Sequence, residues 1–294
     1  MKHTTVLLNE TIESLSIKKD GIYVDLTLGL GGHSEAILNQ LEGGFLYAFD
    51  QDENAIAYAK KRLSSFSNLK IIHANFKDMK ALLKDEGIDK VDGIIMDLGM
   101  SSYQIDDLKR GFSYLHDAPL DMRMNQRLEL TAEKVLNTYD VKQLEQIFRL
   151  YGEEPNSYKI AQDIVKNRPL KTSNDLVEIT DKYKKRKGHS AKRVFQALRI
   201  YINDEINVLE SVLPDALSML NKEGVLAVIT FHSLEDRLVK ETFKELCEEP
   251  FLNVPTLPKE MPFKYYRKKI TPSIDELNHN PRSKSAILRA VIKN

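Results

Sequence analysis

The 294-residue chain balances 43 Lys and Arg against 43 Asp and Glu, so no global field favours a polyanionic partner and nucleic-acid affinity has to arise from local clusters. Its 42% hydrophobic content suffices for a large core in one big domain or two ordinary ones, and no run approaches the ~18 apolar residues of a membrane span. A single cysteine, Cys247, excludes an internal disulfide and a cysteine-built zinc site, and Lys2, Asn9, Glu10 and Glu13 stand where a leader would be apolar, which together predict a cytoplasmic protein.

Residues 22–28 (IYVDLTL) form an apolar, β-rich run ending in glycines, the pattern of a buried parallel strand entering a tight turn, and Ser34 then opens a helix. Residues 45–50 (FLYAFD) repeat the strand pattern, and Ile56, Ala59 and Leu63 give 53–63 helical spacing. A strand at 69–73, a helix near 79–86 and a strand at 91–98 (VDGIIMDL) continue the alternation, which predicts four strands of a doubly wound α/β sheet. Between about 104 and 214 no buried strand is legible, and helical patterns at 141–151, 158–165, 176–183 and 191–213 predict a helical insertion. The sheet pattern returns at 224–231 (GVLAVITF), followed by a helix at 233–247 and a closing strand at 285–292; the proline-rich, basic stretch 256–280 reads as a loop excursion. The expected organisation is a sheet domain in two parts, 1–105 and 213–294, interrupted by helices at 106–212.

The run DLTLGLGGH at 25–33 sits where a strand becomes a helix, and Gly29, Gly31 and Gly32 there let the backbone approach a nucleotide or amino-acid moiety closely. A dinucleotide fingerprint wants a third glycine at position 34, where Ser34 stands, so the doublet Gly31-Gly32 leans toward a cofactor without a pyrophosphate. Asp50 ends the second strand 21 residues after Gly29, where a carboxylate accepts ribose hydroxyl hydrogens from NAD and S-adenosylmethionine alike. Singly, these residues also read as a structural turn, a cap and a strand-end carboxylate; their order and context favour a nucleoside cofactor.

Asp97 lies at the carboxyl end of the fourth strand, the edge where open α/β sheets bind ligands. Methyl transfer from a sulfonium needs in-line approach and an acceptor for the nucleophile's N–H groups more than acid help for the leaving group. An aromatic amine is a weak nucleophile, and a carboxylate at Asp97 would localise its lone pair and hold the charge that builds. A carboxylate capping the turn at 101–104 is the alternative reading.

Seven segments, in order, resemble the ribosomal small-subunit RNA cytosine methyltransferases called RsmH or MraW: DLTLGLGGH at 25–33, FDQD at 49–52, DLGMSSYQID at 97–106, RGFSYLHDAPLDMRM at 110–124, RVFQALRIYIN at 193–203, FHSLEDR at 231–237 and NPRSKSAILR at 280–289. The resemblance covers essentially the whole chain. It implies a class I, Rossmann-like methyltransferase sheet with an inserted helical substrate-recognition domain, acting on the 4-amino group of a decoding-region cytidine in 16S rRNA. It places S-adenosylmethionine on Gly31, Gly32, His33, Asp50, Phe76, Asp97 and Gln104, with Phe76 beside the adenine. Met100, Tyr103, Tyr114 and Thr5 depart from the family pattern without removing a ligand.

Residues 182–199 hold eight Lys and Arg and no Asp or Glu, which points to RNA phosphates as partner, with Lys184, Lys185, Arg186, Lys187 and Arg193 as candidate contacts; the alternative is a solvated loop. Lys264, Arg267, Lys268 and Lys269, with Tyr265 and Tyr266, form a second basic cluster offering phosphate contacts and stacking surfaces. Ser233 reads as the cap of the following helix, with Glu235 and Asp236 at its positive end; His232, Asp121 and Arg123 keep both structural and substrate-side readings. The expected partner is small-subunit rRNA or the 30S particle, with no membrane or protein partner indicated. A nicotinamide-dependent dehydrogenase and a catalytically silent RNA-binding factor are the rival readings.

Overall fold

The apolar runs of the first hundred residues become four parallel strands: β1 (Ile22–Asp25), β2 (Phe45–Asp50), β3 (Leu69–His73) and β4 (Val91–Asp97). Between them lie α1 (Leu8–Leu15), ahead of β1, and the crossover helices α2 (Gly32–Leu38), α3 (Glu53–Arg62) and α4 (Met79–Asp85). The start of α3 follows from its sequence: the Asp52 side chain accepts from the Asn54 N–H, Glu53 occupies the first turn, and Lys60, Lys61 and Arg62 sit at the negative end. The computed structural model describes residues 4–184, 188–249 and 260–294.

The chain forms two compact units, one from 1–99 and 207–294 and the other from 100–206, where composition places the divisions at 105/106 and 212/213. The second unit is helical: α5 (Ser102–Asp106), α6 (Ala132–Thr138), α7 (Val141–Gly152), α8 (Ser157–Lys166), α9 (Ser173–Asp181) and α10 (Lys192–Asn203). Its core gathers Leu144, Phe148, Ile160, Leu176, Val194 and Leu198. The segment before α6 is pinned by Arg110, 1% exposed, whose Nη2 donates to the carbonyls of Arg123 and Met124 at 2.8 Å each, and by Asn203, which accepts from the Met124 N–H and donates to the Met122 carbonyl. The single helix expected at 191–213 is two, because Asp204 takes a left-handed φ of 53° between α10 and α11 (Glu205–Met219).

The remaining chain returns to the sheet with β5 (Leu220–Thr230), α12 (Ser233–Cys247), β6 (Phe263–Ile270), α13 (Ile274–His279) and β7 (Ile287–Lys293). The loop excursion expected at 256–280 thus contains a strand and a helix, while 256–259 lie outside the described residues. Strand order is β3-β2-β1-β4-β5-β7-β6, parallel except for β7, which runs antiparallel to both β5 and β6. Side chains alternate between two buried faces: Val24, Phe49, Ile94, Met96 and Val228 pack into one core, and Tyr23, Ala48, Ile95, Ala227 and Ile229 into the other. Among the described residues no helix is long and apolar enough to cross a membrane.

Candidate active site

The register of the sheet builds the site. Asp25 pairs with Ala48 on one side and Ile95 on the other, so two residues further along Thr27 falls between Asp50 and Asp97 at the carboxyl edge. The Asp97 N–H donates to Thr27 Oγ1 at 2.6 Å, and two strand spacings, ~10 Å, separate the β2 and β4 ends. Asp25, 1% exposed, holds the turn: its carboxylate accepts from the Thr27 N–H at 3.0 Å and from the Ser34 hydroxyl at 2.7 Å. Ser34 therefore ties the loop and does not cap the helix; α2 starts at Gly32, after Gly31 at φ 79°, with no side-chain cap. That leaves backbone N–H groups at its positive end for a ligand.

Asp50 accepts from the N–H groups of Gly29 and Asp52, both at 2.8 Å. Burial pushes its carboxyl up to about 6, the two N–H donors pull it down, and the charges of Asp52 and Asp25 add a smaller push upward. Phe76 opens a short 3₁₀ turn after β3 and is half-buried, packed against the core of that sheet face.

The surroundings of Asp97 disfavour its ionised form. Burial drives its carboxyl well above the usual range, and Asp25, Glu235 and Glu276 add like-charge repulsion. Oδ1 of Asp97 is buried with no hydrogen-bond partner among the described residues, and Oδ2 lies 3.7 Å from His33 Nδ1. His33, 4% exposed, has its Nε2 3.1 Å from the Val6 carbonyl. The N-terminal segment is fixed in turn by Glu276, which accepts from the Leu7 N–H at 2.9 Å, and by Asn280, which donates to the Thr4 carbonyl at 3.2 Å. A Cβ on Gly32 would lie 1.9 Å from Thr5 Oγ1, so any larger residue would force Thr5 to move where this segment crosses α2.

These features fit a cationic adenosine-bearing ligand: a glycine cradle, a ribose-competent carboxylate at Asp50, and the concentration of acidic groups, Asp25, Glu235 and Glu276, around Asp97. Sequence reasoning missed Asp25 and Thr27 as organisers, and Glu235 and Glu276 as neighbours of Asp97. It also misplaced the cap of α12, which is His232: its Nδ1 accepts from the Glu235 N–H, and the Glu235 carboxylate accepts from the N–H groups of Phe231 and His232. His232 thereby takes a structural role. Asp236 is paired with Arg289 at 2.8 and 3.0 Å.

In the helical unit Gln104 is buried and forms a reciprocal cap with Ser101: its Oε1 accepts from the Ser101 N–H, and its own N–H donates to Ser101 Oγ. Asp121 and Arg123 form an internal ion pair at 2.7 and 2.8 Å; burial raises the Asp121 carboxyl, but the bonds and charge of Arg123 outweigh it and hold it low. Lys184 is exposed just after the turn that follows α9, and Arg193 Nη1 donates to the Glu153 carbonyl at 2.7 Å. Lys185, Arg186 and Lys187 lie outside the described residues.

The MraW methylase family model matches residues 1–294. Ribosomal RNA small subunit methyltransferase H 1 of Acholeplasma laidlawii is 55% identical over 298 residues, covering 100% of this chain and 99% of its own. Ribosomal RNA small subunit methyltransferase H of Clostridium botulinum, strain Loch Maree, is 51% identical over 306 residues, covering 99% of each. A solved rRNA-methylase structure from Clostridium thermocellum, described as putative in its own name, aligns over 100% of both chains at 14% identity and TM-score 0.48. The sheet is the class I, Rossmann-like methyltransferase sheet, and S-adenosylmethionine is the methyl donor it serves. From β1 to β7 the chain belongs to the MraW methylase family of S-adenosylmethionine-dependent methyltransferases.

Proposed function

We propose that this methyltransferase modifies the 4-amino group of a cytidine in the decoding region of 16S rRNA, acting in the cytoplasm on the RNA or the 30S particle. The names of the relatives supply the substrate class. The observation that carries the chemistry is Asp97: a strand-end carboxylate whose buried Oδ1 has no hydrogen-bond partner among the described residues. A buried acceptor left unpaired is costly, and an exocyclic amine supplies the N–H that it lacks.

Gly31, Gly32, His33, Asp50, Phe76 and Asp97, with Gln104, would hold S-adenosylmethionine, which when bound supplies an electrophilic methyl group. Asp50 accepts the ribose hydroxyls, Phe76 offers a ring face to the adenine, and the acidic neighbours of Asp97 offset the sulfonium and ammonium charges. Asp97 orients the amine so that its lone pair points along the line of transfer, stabilises the positive charge that develops there, and receives the proton the nitrogen loses. The helices of 106–212 recognise the substrate, and Lys184, Lys185, Arg186, Lys187 and Arg193 contact phosphates, which position the strand while an extruded base enters the site.

The test is a tritiated-methyl assay on ribosomal particles from a strain lacking this protein, followed by nucleoside analysis. Label in N4-methylcytidine is expected; label on a ring carbon, or none, overturns the reading. Titration with S-adenosylhomocysteine and with NAD separates it from a dehydrogenase, which would prefer NAD.

A further inference from the structure

Strand pairing places an unassigned basic surface on the edge of the sheet where Asp97 sits. Asp97 pairs with Ile229, Ile229 with Leu288, and Leu288 with Ile270, so one lateral row runs from the reacting carboxylate to the end of the outermost strand, β6. Three strand spacings make that row about 14 Å long. Immediately before Ile270 come Arg267, Lys268 and Lys269, all exposed, and β6 contains no acidic residue.

These cations differ in what they already bind. Lys268 is paired with Glu248 and lies 5.0 Å above the Tyr265 ring, and the Tyr266 hydroxyl donates to Glu13 at 3.0 Å. Both tyrosines are thus engaged within the protein, which removes the stacking surface expected from the sequence. Arg267 and Lys269 make no ion pair or side-chain hydrogen bond among the described residues. Lys264 is also exposed and unpaired among the described residues, but it pairs with Ile292, four β7 residues beyond Leu288, which sets it ~13 Å along the strand from Ile270 and away from the catalytic edge.

We propose that Arg267 and Lys269 bind the phosphate backbone of the RNA strand flanking the target nucleotide, along the sheet edge that ends at Asp97. The proposal rests on the rRNA reading above. Charge complementarity selects the partner: two unpaired cations stand a few nucleotides from the reacting base in a protein with no net charge of its own. Backbone contacts of this kind set the register of the strand without reading sequence.

The competing explanation is that charged side chains on an edge strand merely prevent edge-to-edge pairing, for which the location of a charge along the strand is immaterial. The experiment compares an Arg267→Gln/Lys269→Gln double variant with Lys264→Gln, measuring oligocytidylate RNA binding by fluorescence anisotropy across a salt series. The double variant is expected to flatten the slope of log affinity against log salt by roughly 1.4, at ~0.7 per single-stranded phosphate contact. Lys264→Gln leaves the slope unchanged, and S-adenosylhomocysteine titration of both variants matches the unaltered protein, which reports an intact sheet. An unaltered slope in the double variant, with or without self-association in sedimentation, overturns the proposal, as does an equal effect from Lys264→Gln. If the unaltered protein labels ribosomal particles while the double variant binds RNA as it does, only this surface fails. If the unaltered protein neither binds nor labels RNA, the rRNA reading fails with it.

Discussion

His33 bridges the N-terminal segment and Asp97: its Nε2 lies 3.1 Å from the Val6 carbonyl oxygen and its Nδ1 3.7 Å from Asp97 Oδ2. A carbonyl only accepts, so the neutral ring carries its proton on Nε2 and turns the Nδ1 lone pair toward the carboxylate. A proton on Asp97 is then favoured, because a small adjustment lets it donate to that lone pair. His33→Gln keeps a donor toward Val6 and removes the Nδ1 acceptor, so the Asp97 carboxyl ionises more readily. The acid limb of the single-turnover pH–rate profile is expected to shift to lower pH, with a rate loss of about tenfold from poorer alignment. A shift to higher pH would show instead that His33 acts as a cation beside Asp97.

Asp97→Asn tests the acceptor itself. The raised carboxyl of Asp97 means that its ionised form opposes folding, increasingly as pH rises through the folded-state value. A neutral amide of the same shape relieves that repulsion, so the ligand-free variant is expected to melt no lower than the parent. Methyl transfer is expected to fall by about 10²-fold or more, because the amide lacks the charge that stabilises the developing cation. Calorimetry alongside the tritium assay checks both, and wild-type turnover would remove Asp97 from the mechanism.

For Asp50 the pH dependence has a definite sign. Its carboxyl titrates at about 6 in the ligand-free protein, above its ordinary 3.8, so the ionised form is disfavoured in the fold and this group withdraws stability as pH rises between those values. Ribose hydroxyls donate to the ionised form. S-Adenosylhomocysteine affinity is therefore expected to be level above about pH 7 and to fall toward tenfold per unit below about pH 6. Asp50→Asn abolishes that inflection and weakens binding at neutral pH; an inflection that survives the substitution belongs to another group.

For the basic segment, reversing the charge of Lys184, Lys185 and Lys187 is expected to weaken RNA binding and flatten its salt dependence while sparing cofactor affinity. Anisotropy titrations across a salt series check this, and an unchanged slope returns the segment to a solvated loop.

What was legible in the sequence follows from which interactions leave a mark on it. The run FLYAFD gives the bounds of β2, and the helical pattern of 233–247 those of α12 although its cap is His232 rather than Ser233, because apolar runs and helical spacing are local. Asp50 and Asp97 stand out as strand-end carboxylates for the same reason. The break at Asp204 was hidden because the left-handed residue there is not glycine. β6 was hidden because FKYYRKKI, at the sheet edge with register shifts, lacks period-two alternation. The ties from Thr4, Val6 and Leu7 to Asn280, His33 and Glu276 were invisible, since each runs through a backbone group that any residue type supplies. Asp25 and Thr27 carry no mark of their roles until register sets Thr27 between Asp50 and Asp97.

The N-terminal segment yields the last prediction. Gly32→Ala would bring its Cβ to 1.9 Å from Thr5 Oγ1, 3.1 Å from Thr5 Cβ and 3.2 Å from Thr5 Cγ2, a set of contacts that cannot coexist. Thr5 must move, and the expected outcome is that the segment shifts with it, loosening the contacts of the Val6 carbonyl with His33 and of the Leu7 N–H with Glu276. Overpacking of this kind costs about 1–3 kcal/mol, visible as a lowered Tm. His33 is released at the same time, so S-adenosylhomocysteine affinity is expected to fall as well. Thr5→Ala removes the hydroxyl and methyl group and leaves the Cβ contact, which a shift of a few tenths of an ångström relieves. The double variant is therefore expected to recover most of both losses, whereas Thr5→Ala alone changes little. If the double variant binds and melts like Gly32→Ala, the glycine is needed for the cofactor's own approach and the N-terminal segment is a bystander.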